Sequence, residues 1–209
     1  MNAIENVFVC LAAPQLIAAL CFKGYPRRSM IFLLAGMTVC LFSAYVSSFA
    51  SGIMGTDLRT ASYEIVPVVE ETMKSLPLMF YLLVFEPEKK SAINGALWVA
   101  VGFATFENIY FLISNGASDL VRLLIRGFGT GAMHIICGMV VAVGTFFLWD
   151  RIWLRAIGAF ALECFVITFH AVFNVFANQS GAAFWIGSAI PLTLFLVWLV
   201  FFPWKKDMF

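Results

Sequence analysis

The chemistry in this sequence resides in ionisable side chains set inside long apolar runs: Glu64, Glu70, Glu71, Lys74, Glu107, Arg126, His134, Glu163 and His170, accompanied by Asn108 and Asn174. Both histidines of the chain belong to this set. Their spacing is helical. EETMK places Glu70 and Lys74 four apart on one face, FATFEN places Phe103 and Glu107 four apart, and HAVFN does the same for His170 and Asn174. Glu163 lies seven residues before His170 and shares its face, and GFGTGAMH brings three glycines up to His134. Small residues of that kind let helix backbones approach closely in lipid.

A carboxylate confined to an apolar pocket can act as a general base, imidazole can orient water or pass a proton, and an Asn amide can donate to an oxyanion. Glu, His and Asn together suffice for metal-free hydrolysis of an amide. Adjacent helical positions diverge by about 100°, so only one of Glu70 and Glu71 is expected to face a shared site, and the residues alone do not choose between them. Lys74, one turn from Glu70, is expected to balance its charge. Glu163 and Arg126 are expected to pair with other buried groups, Glu64 to reach an interface, and Phe103, Phe106 and Tyr110 to serve packing. No Ser or Cys sits beside a His in a nucleophile motif, and HExxH is absent.

The elements that must position these groups follow from composition. Of 209 residues, 62% are hydrophobic and 12% charged, with a mean hydropathy of +0.94. A soluble domain carries about 25% charged residues. The apolar runs are long and do not alternate, which excludes an outer-membrane barrel. An all-α, polytopic membrane bundle of seven transmembrane helices is expected, at 3–22, 30–54, 62–85, 91–114, 122–149, 152–177 and 182–202. It forms a single transmembrane domain over 1–209 with its motif core at 62–177. A net charge of +1 without a basic stripe argues against nucleic acid. The five cysteines (10, 21, 40, 137, 164) lie in apolar runs without a CxxC and read as small buried hydrophobes.

Basic residues set the orientation. Lys23, Arg27, Arg28, Lys89, Lys90, Arg151, Arg155, Lys205 and Lys206 fall on one side, and Arg59 and Arg122 on the other. The N-terminus is therefore expected outside and the C-terminus in the cytoplasm. Counting inward at about 1.5 Å per residue puts Glu70 about 12 Å deep and Glu107 and His170 about 10 Å deep. His134 comes out at about 18 Å, or about 12 Å if its helix starts near Arg126. The groups thus share a level in the outer third of the bilayer.

EETMK (70–74), FATFEN (103–108), an isolated His134 and HAVFN (170–174), in that order on four successive spans, resemble the PrsW family of intramembrane proteases. More distantly, they are similar to type II CAAX prenyl proteases and to the anterior-pharynx-defective subunit of γ-secretase. The resemblance covers residues 70–174 and implies a glutamate-type protease. In it Glu70 is the general base and Glu71 supports or alternates. His170 and Asn174 bind the oxyanion, and His134 and Glu107 complete the site. Lys74, Phe103, Asn108 and Arg126 support it. Phe103-xxx-Glu107 departs from the FxxxH of the CAAX enzymes. A Glu cannot play the imidazole's role unchanged, which leaves His134 to orient water. The metal-free version is preferred, with Zn²⁺ on Glu70, Glu107, His134 and His170 as the alternative.

The resemblance further implies a bacterial cell membrane, a single-span membrane protein as substrate within the lipid bilayer, and a cut near the outer face. The first cut in an anti-sigma factor is the family's best-known role. The competing readings are a non-catalytic scaffold subunit and a proton-coupled transporter. Against the latter, no inverted repeat is visible. The sequence sets no oligomeric state.

Overall fold

A chain this apolar, with no water to satisfy its backbone, has to close its hydrogen bonds within helices. The computed structural model describes residues 3–85, 87–116, 120–148 and 152–201, and these are helical apart from short connections, with no strand among them. In chain order the helices are α1 (Ala3–Cys21), α2 (Gly24–Met54), α3 (Leu58–Glu64), α4 (Val66–Phe85), α5 (Lys89–Asn115), α6 (Leu120–Leu148), α7 (Ile152–Ala177) and α8 (Ala182–Phe201). Six of them, α1, α2, α5, α6, α7 and α8, are long and apolar enough to cross a membrane. α4 is as long as α8 but carries Glu70, Glu71 and Lys74. Of the basic residues expected to orient the chain, Arg151, Lys205 and Lys206 lie outside the described residues, as do Glu86, residues 117–119 and Asp150 in the expected connections.

Two expected boundaries are corrected. The run 62–85 is not one helix. Pro67 has no amide hydrogen to continue the ladder across this point, and the chain breaks around Ile65. The preceding turn becomes the separate helix α3. Asp57 caps it, accepting from the amides of Arg59 at 2.9 Å and Thr60 at 3.1 Å. The second helix begins at Gly24 rather than 30, because Arg27 and Arg28 are exposed within its first turns instead of preceding it. It ends at Gly55, whose φ of 64° closes the C-terminus in the left-handed region.

α5 and α6 form the centre of the bundle, and α1 is the most peripheral long helix. Leu78 and Leu82 of α4, Ile93 and Ala96 of α5, Met133, Cys137 and Val141 of α6, and Val166 and Phe173 of α7 make one core cluster. Met37 and Cys40 of α2 with Phe103 and Phe106 of α5 make a second, against which Phe8 of α1 packs edge-on to Phe106. Large apolar side chains such as Leu20, Phe49, Leu83, Phe147 and Phe160 cover the outside, as a lipid-facing surface requires. The cysteines divide between the two environments. Cys40 and Cys137 are buried, but Cys10, Cys21 and Cys164 are exposed, so the expectation of burial fails for three of the five. Their small apolar side chains suit lipid as well as protein.

α2 packs most extensively on α5. The crossing is made by two glycines: a Cβ on Gly36 would stand 2.1 Å from the Val99 carbonyl oxygen, and one on Gly102 would stand 2.1 Å from that of Leu33. Backbone meets backbone there, so nothing can give way cheaply. Gly36→Ala or Gly102→Ala is expected to destabilise the protein by about 1–3 kcal/mol or more. Gly52→Ala, where a Cβ meets nothing within 4 Å, should be neutral or stabilising. Thermal unfolding in detergent checks this, and equal melting midpoints for all three variants would contradict the close crossing.

Candidate active site

Four helices bring the charged groups together. Glu70, Glu71 and Lys74 come from the first half of α4, Glu107 from the second half of α5, His134 from the middle of α6 and His170 from the second half of α7. These positions lie toward the end of the bundle away from Lys23, Arg27, Arg28, Lys89, Lys90 and Arg155, which occupy helix starts or the connections before them. Glu70, Glu71, Lys74, His134 and His170 are all buried.

Glu71 is the hub. Lys74 Nζ lies 2.8 Å from each of its carboxylate oxygens, and His170 Nδ1 lies 2.7 Å from Oε1. Lys74 also reaches His134 Nδ1 at 2.9 Å. An ammonium can only donate and an ionised carboxylate can only accept, so these partners fix both tautomers. His134 accepts at Nδ1, carries its proton on Nε2 and donates it to Glu107 Oε2. His170 donates Nδ1–H to Glu71, which leaves the Nε2 lone pair directed toward Glu70 Oε2, 3.8 Å away. The two imidazoles meet edge to face at 5.1 Å. The Phe103 ring, fully buried, covers one side of His134 at 4.9 Å and lies 5.2 Å from Lys74 Nζ.

Glu70 differs from its neighbour. Its Oε2 is buried and has no hydrogen-bond partner among the described residues. An ionisable oxygen held in that state is expensive unless something else occupies the site. One ligand atom each of Glu70, His134 and His170 lie within 4.8 Å of one another. That donor set, two imidazole nitrogens and a carboxylate oxygen, matches a catalytic zinc site with one position left open. The buried orphan oxygen and the free lone pair of His170 both fit an ion there. Glu107 is not in this group.

The remaining residues surround the cluster. Arg126 approaches Glu107 at 3.5 Å and Asn108 Oδ1 at 3.3 Å, and it stacks on Phe111. Asn108 donates to the Gly127 carbonyl at 3.2 Å, tying α5 to α6. A groove of ≈ 190 Å³ lies against this pair, lined by Asn108, Phe111, Leu112, Leu123 and Arg126 among others. Asn174 is committed elsewhere: its Nδ2 donates to the Ser62 carbonyl at 2.8 Å, fastening α7 to α3. Glu64 and Tyr110 are exposed.

Two expectations change. Both Glu70 and Glu71 turn toward His170, one at each ring nitrogen, because His170 enters from α7 between them. Lys74 pairs with Glu71 through the i,i+3 spacing rather than with Glu70. Glu163 finds a partner, as expected, in the half-buried Ser75, whose hydroxyl donates to the carboxylate at 2.9 Å. Neither Ser75 nor Ser62 was marked by its sequence context. Ser75's position directly after EETMK was the available signal.

A family model described as PrsW family intramembrane metalloprotease matches residues 26–204. The chain belongs to the PrsW family. No curated relative and no solved structure matches it. PrsW membership makes the chain a membrane-embedded protease, and the match includes every residue of the buried cluster. The description of this family as metalloproteases also bears on the preference for metal-free chemistry, since it favours the alternative in which a metal takes part.

Lys74 is the cation that permits Glu71 to remain buried. Lys74→Met is expected to destabilise the protein by about 3–5 kcal/mol, because it strands a carboxylate in an apolar interior. Lys74→Arg, which keeps the charge, should cost clearly less. Chemical denaturation in detergent measures both, and a Lys74→Met variant as stable as wild type would contradict the pairing.

Proposed function

We propose that this PrsW protein is a zinc-dependent endopeptidase in which Glu70, His134 and His170 hold the ion. The observation that carries the reading is the buried Glu70 oxygen without a partner, facing two imidazoles that other residues already orient. When bound, the ion supplies Lewis acidity toward a water or a peptide carbonyl. Glu71 holds His170 by Nδ1, the carboxylate–histidine arrangement that fixes a ligating imidazole. Lys74 holds Glu71 in turn. His134 has partners at both nitrogens, and its lone pair is on Nδ1, so ligation requires Lys74 to withdraw from that nitrogen. Lys74 keeps its ion pair with Glu71 when it does so, and Glu107 goes on holding the Nε2–H.

Hydrolysis adds one water across the peptide C–N bond, hydroxyl to the acyl carbon and proton to the departing amine. Glu107 is the carboxylate placed to take that proton on Oε1, the oxygen His134 leaves open, and return it to the amine. Phe103 keeps bulk water from the His134 side. The groove beside Arg126 and Asn108 is the approach for an extended substrate segment, with Arg126 or the Asn108 amide donating to its carbonyls.

In this reading α4 is a seventh span despite its charges, because they face inward onto α6 and α7. The positive-inside rule then puts the Lys- and Arg-rich end in the cytoplasm and the active site near the outer face of a bacterial plasma membrane. A substrate suited to that depth is a single-span membrane protein cut near its outer boundary, and an anti-sigma factor is one such protein.

The test is cleavage of single-span bacterial membrane proteins in proteoliposomes, followed by mass spectrometry. Chelation should abolish cleavage and Zn²⁺ should restore it. Glu70→Gln should lower the rate about 10²–10⁴-fold, the scale on which a positioned catalytic group acts. Glu71→Gln should weaken metal affinity about 10–100-fold, as the loss of a supporting partner does. Cleavage that survives exhaustive chelation, or a folded Glu70→Gln variant that cuts at the wild-type rate, would overturn the assignment.

A further inference from the structure

A second polar pocket lies at the opposite end of the bundle, where α2 and α5 both begin and α4 ends. Its cavity is small, ≈ 20 Å³, and open to the outside; Arg28, Ser29, Ser91 and Asn94 line it, with Tyr25 and Trp98 among the aromatic residues of its wall. Ser29 is 4% exposed and Asn94 7%. The Ser29 hydroxyl has no hydrogen-bond partner among the described residues, although it lines this pocket. Arg28 is exposed and makes no hydrogen bond or ion pair with any described residue. A hydroxyl and a guanidinium are thus both left with donors to spare at one small cavity.

The surroundings favour an anion. Lys23, the cap of α2, makes no side-chain hydrogen bond to its helix and is itself a cation, so the positive end of α2 is left uncompensated there. Lys23, Arg27 and Lys90 are exposed close by in the chain. Glu88 is exposed and does not line the pocket. Exposed apolar side chains lie within three residues of the lining on two of its helices, Ile31 on α2 and Leu83 on α4, which gives acyl chains a surface. Tyr and Trp at such a level match a membrane–water interface.

We infer that this pocket binds the phosphate of an anionic phospholipid headgroup, with Arg28 and the Ser29 hydroxyl as donors and Ser91 and Asn94 completing the cradle. Basic pockets between membrane helices suit that ligand. A headgroup bearing its own ammonium would be repelled by Arg28, Arg27, Lys23 and Lys90, so phosphatidylglycerol is favoured over phosphatidylcholine. The site is separate from the protease centre, and its test does not read cleavage.

Full-length protein in detergent is titrated with phosphatidylglycerol, phosphatidylcholine or inorganic phosphate, with native mass spectrometry for bound lipid and thermal unfolding for stabilisation. Phosphatidylglycerol should stay bound and raise the melting midpoint, and phosphatidylcholine should do so much less. Arg28→Gln should weaken binding about fivefold, the weight of one basic residue at an anionic surface. Ser29→Ala should also weaken it while leaving the lipid-free midpoint unchanged, since the hydroxyl it removes bonds to nothing in the protein. Equal binding of the two lipids, equal stabilisation by inorganic phosphate, or wild-type affinity in both variants would each overturn the proposal.

Discussion

The buried carboxylate of Glu71 is the constraint on which the rest depends. An ionised group inside an apolar bundle has to be paired and hydrogen-bonded, or the fold will not hold it. Lys74 satisfies it from the same helix and His170 from α7. Lys74 is then still able to reach His134 on α6. One carboxylate thereby fixes the relation of α4, α6 and α7, and it also fixes which nitrogen of each imidazole carries a proton. The stability of the bundle and the geometry of the site are the same set of contacts.

That economy explains the contrast between adjacent glutamates. Glu71 is saturated with partners, whereas Glu70 has an oxygen with none. A structural role would predict the reverse, since an unpaired buried oxygen weakens the fold without return. The framework that keeps this state rigid is the glycine crossing of α2 on α5, which brings Phe103 and the Glu107 segment against α6. Arg126 and Asn108 complete it by tying α5 to α6 at the edge of the groove.

The helices were legible because lipid demands long apolar runs, and the ionisable residues within those runs marked the site. What remained hidden depended on choices between equivalent local options. Lys74 stands three residues from Glu71 and four from Glu70, and both spacings permit a pair; the choice is made by His134 and His170, which are remote in sequence. The break before α4 was masked because the residues around Pro67 stay apolar, so hydropathy runs on where the hydrogen-bond ladder cannot. Ser75 with Glu163 and Asn174 with Ser62 are contacts across 88 and 112 residues, and neither member announces its partner. Gly36 and Gly102 sit in no small-residue motif, so only the packed helices reveal that backbone touches backbone there.

The most direct test is zinc K-edge X-ray absorption on the purified chain and on His170→Ala. The expected result is a first shell of nitrogen and oxygen at about 2.0–2.2 Å with the outer-shell signature of two imidazoles, falling to one in the variant. A chain that binds no zinc, or a zinc shell whose imidazole content is the same with and without His170, would contradict it.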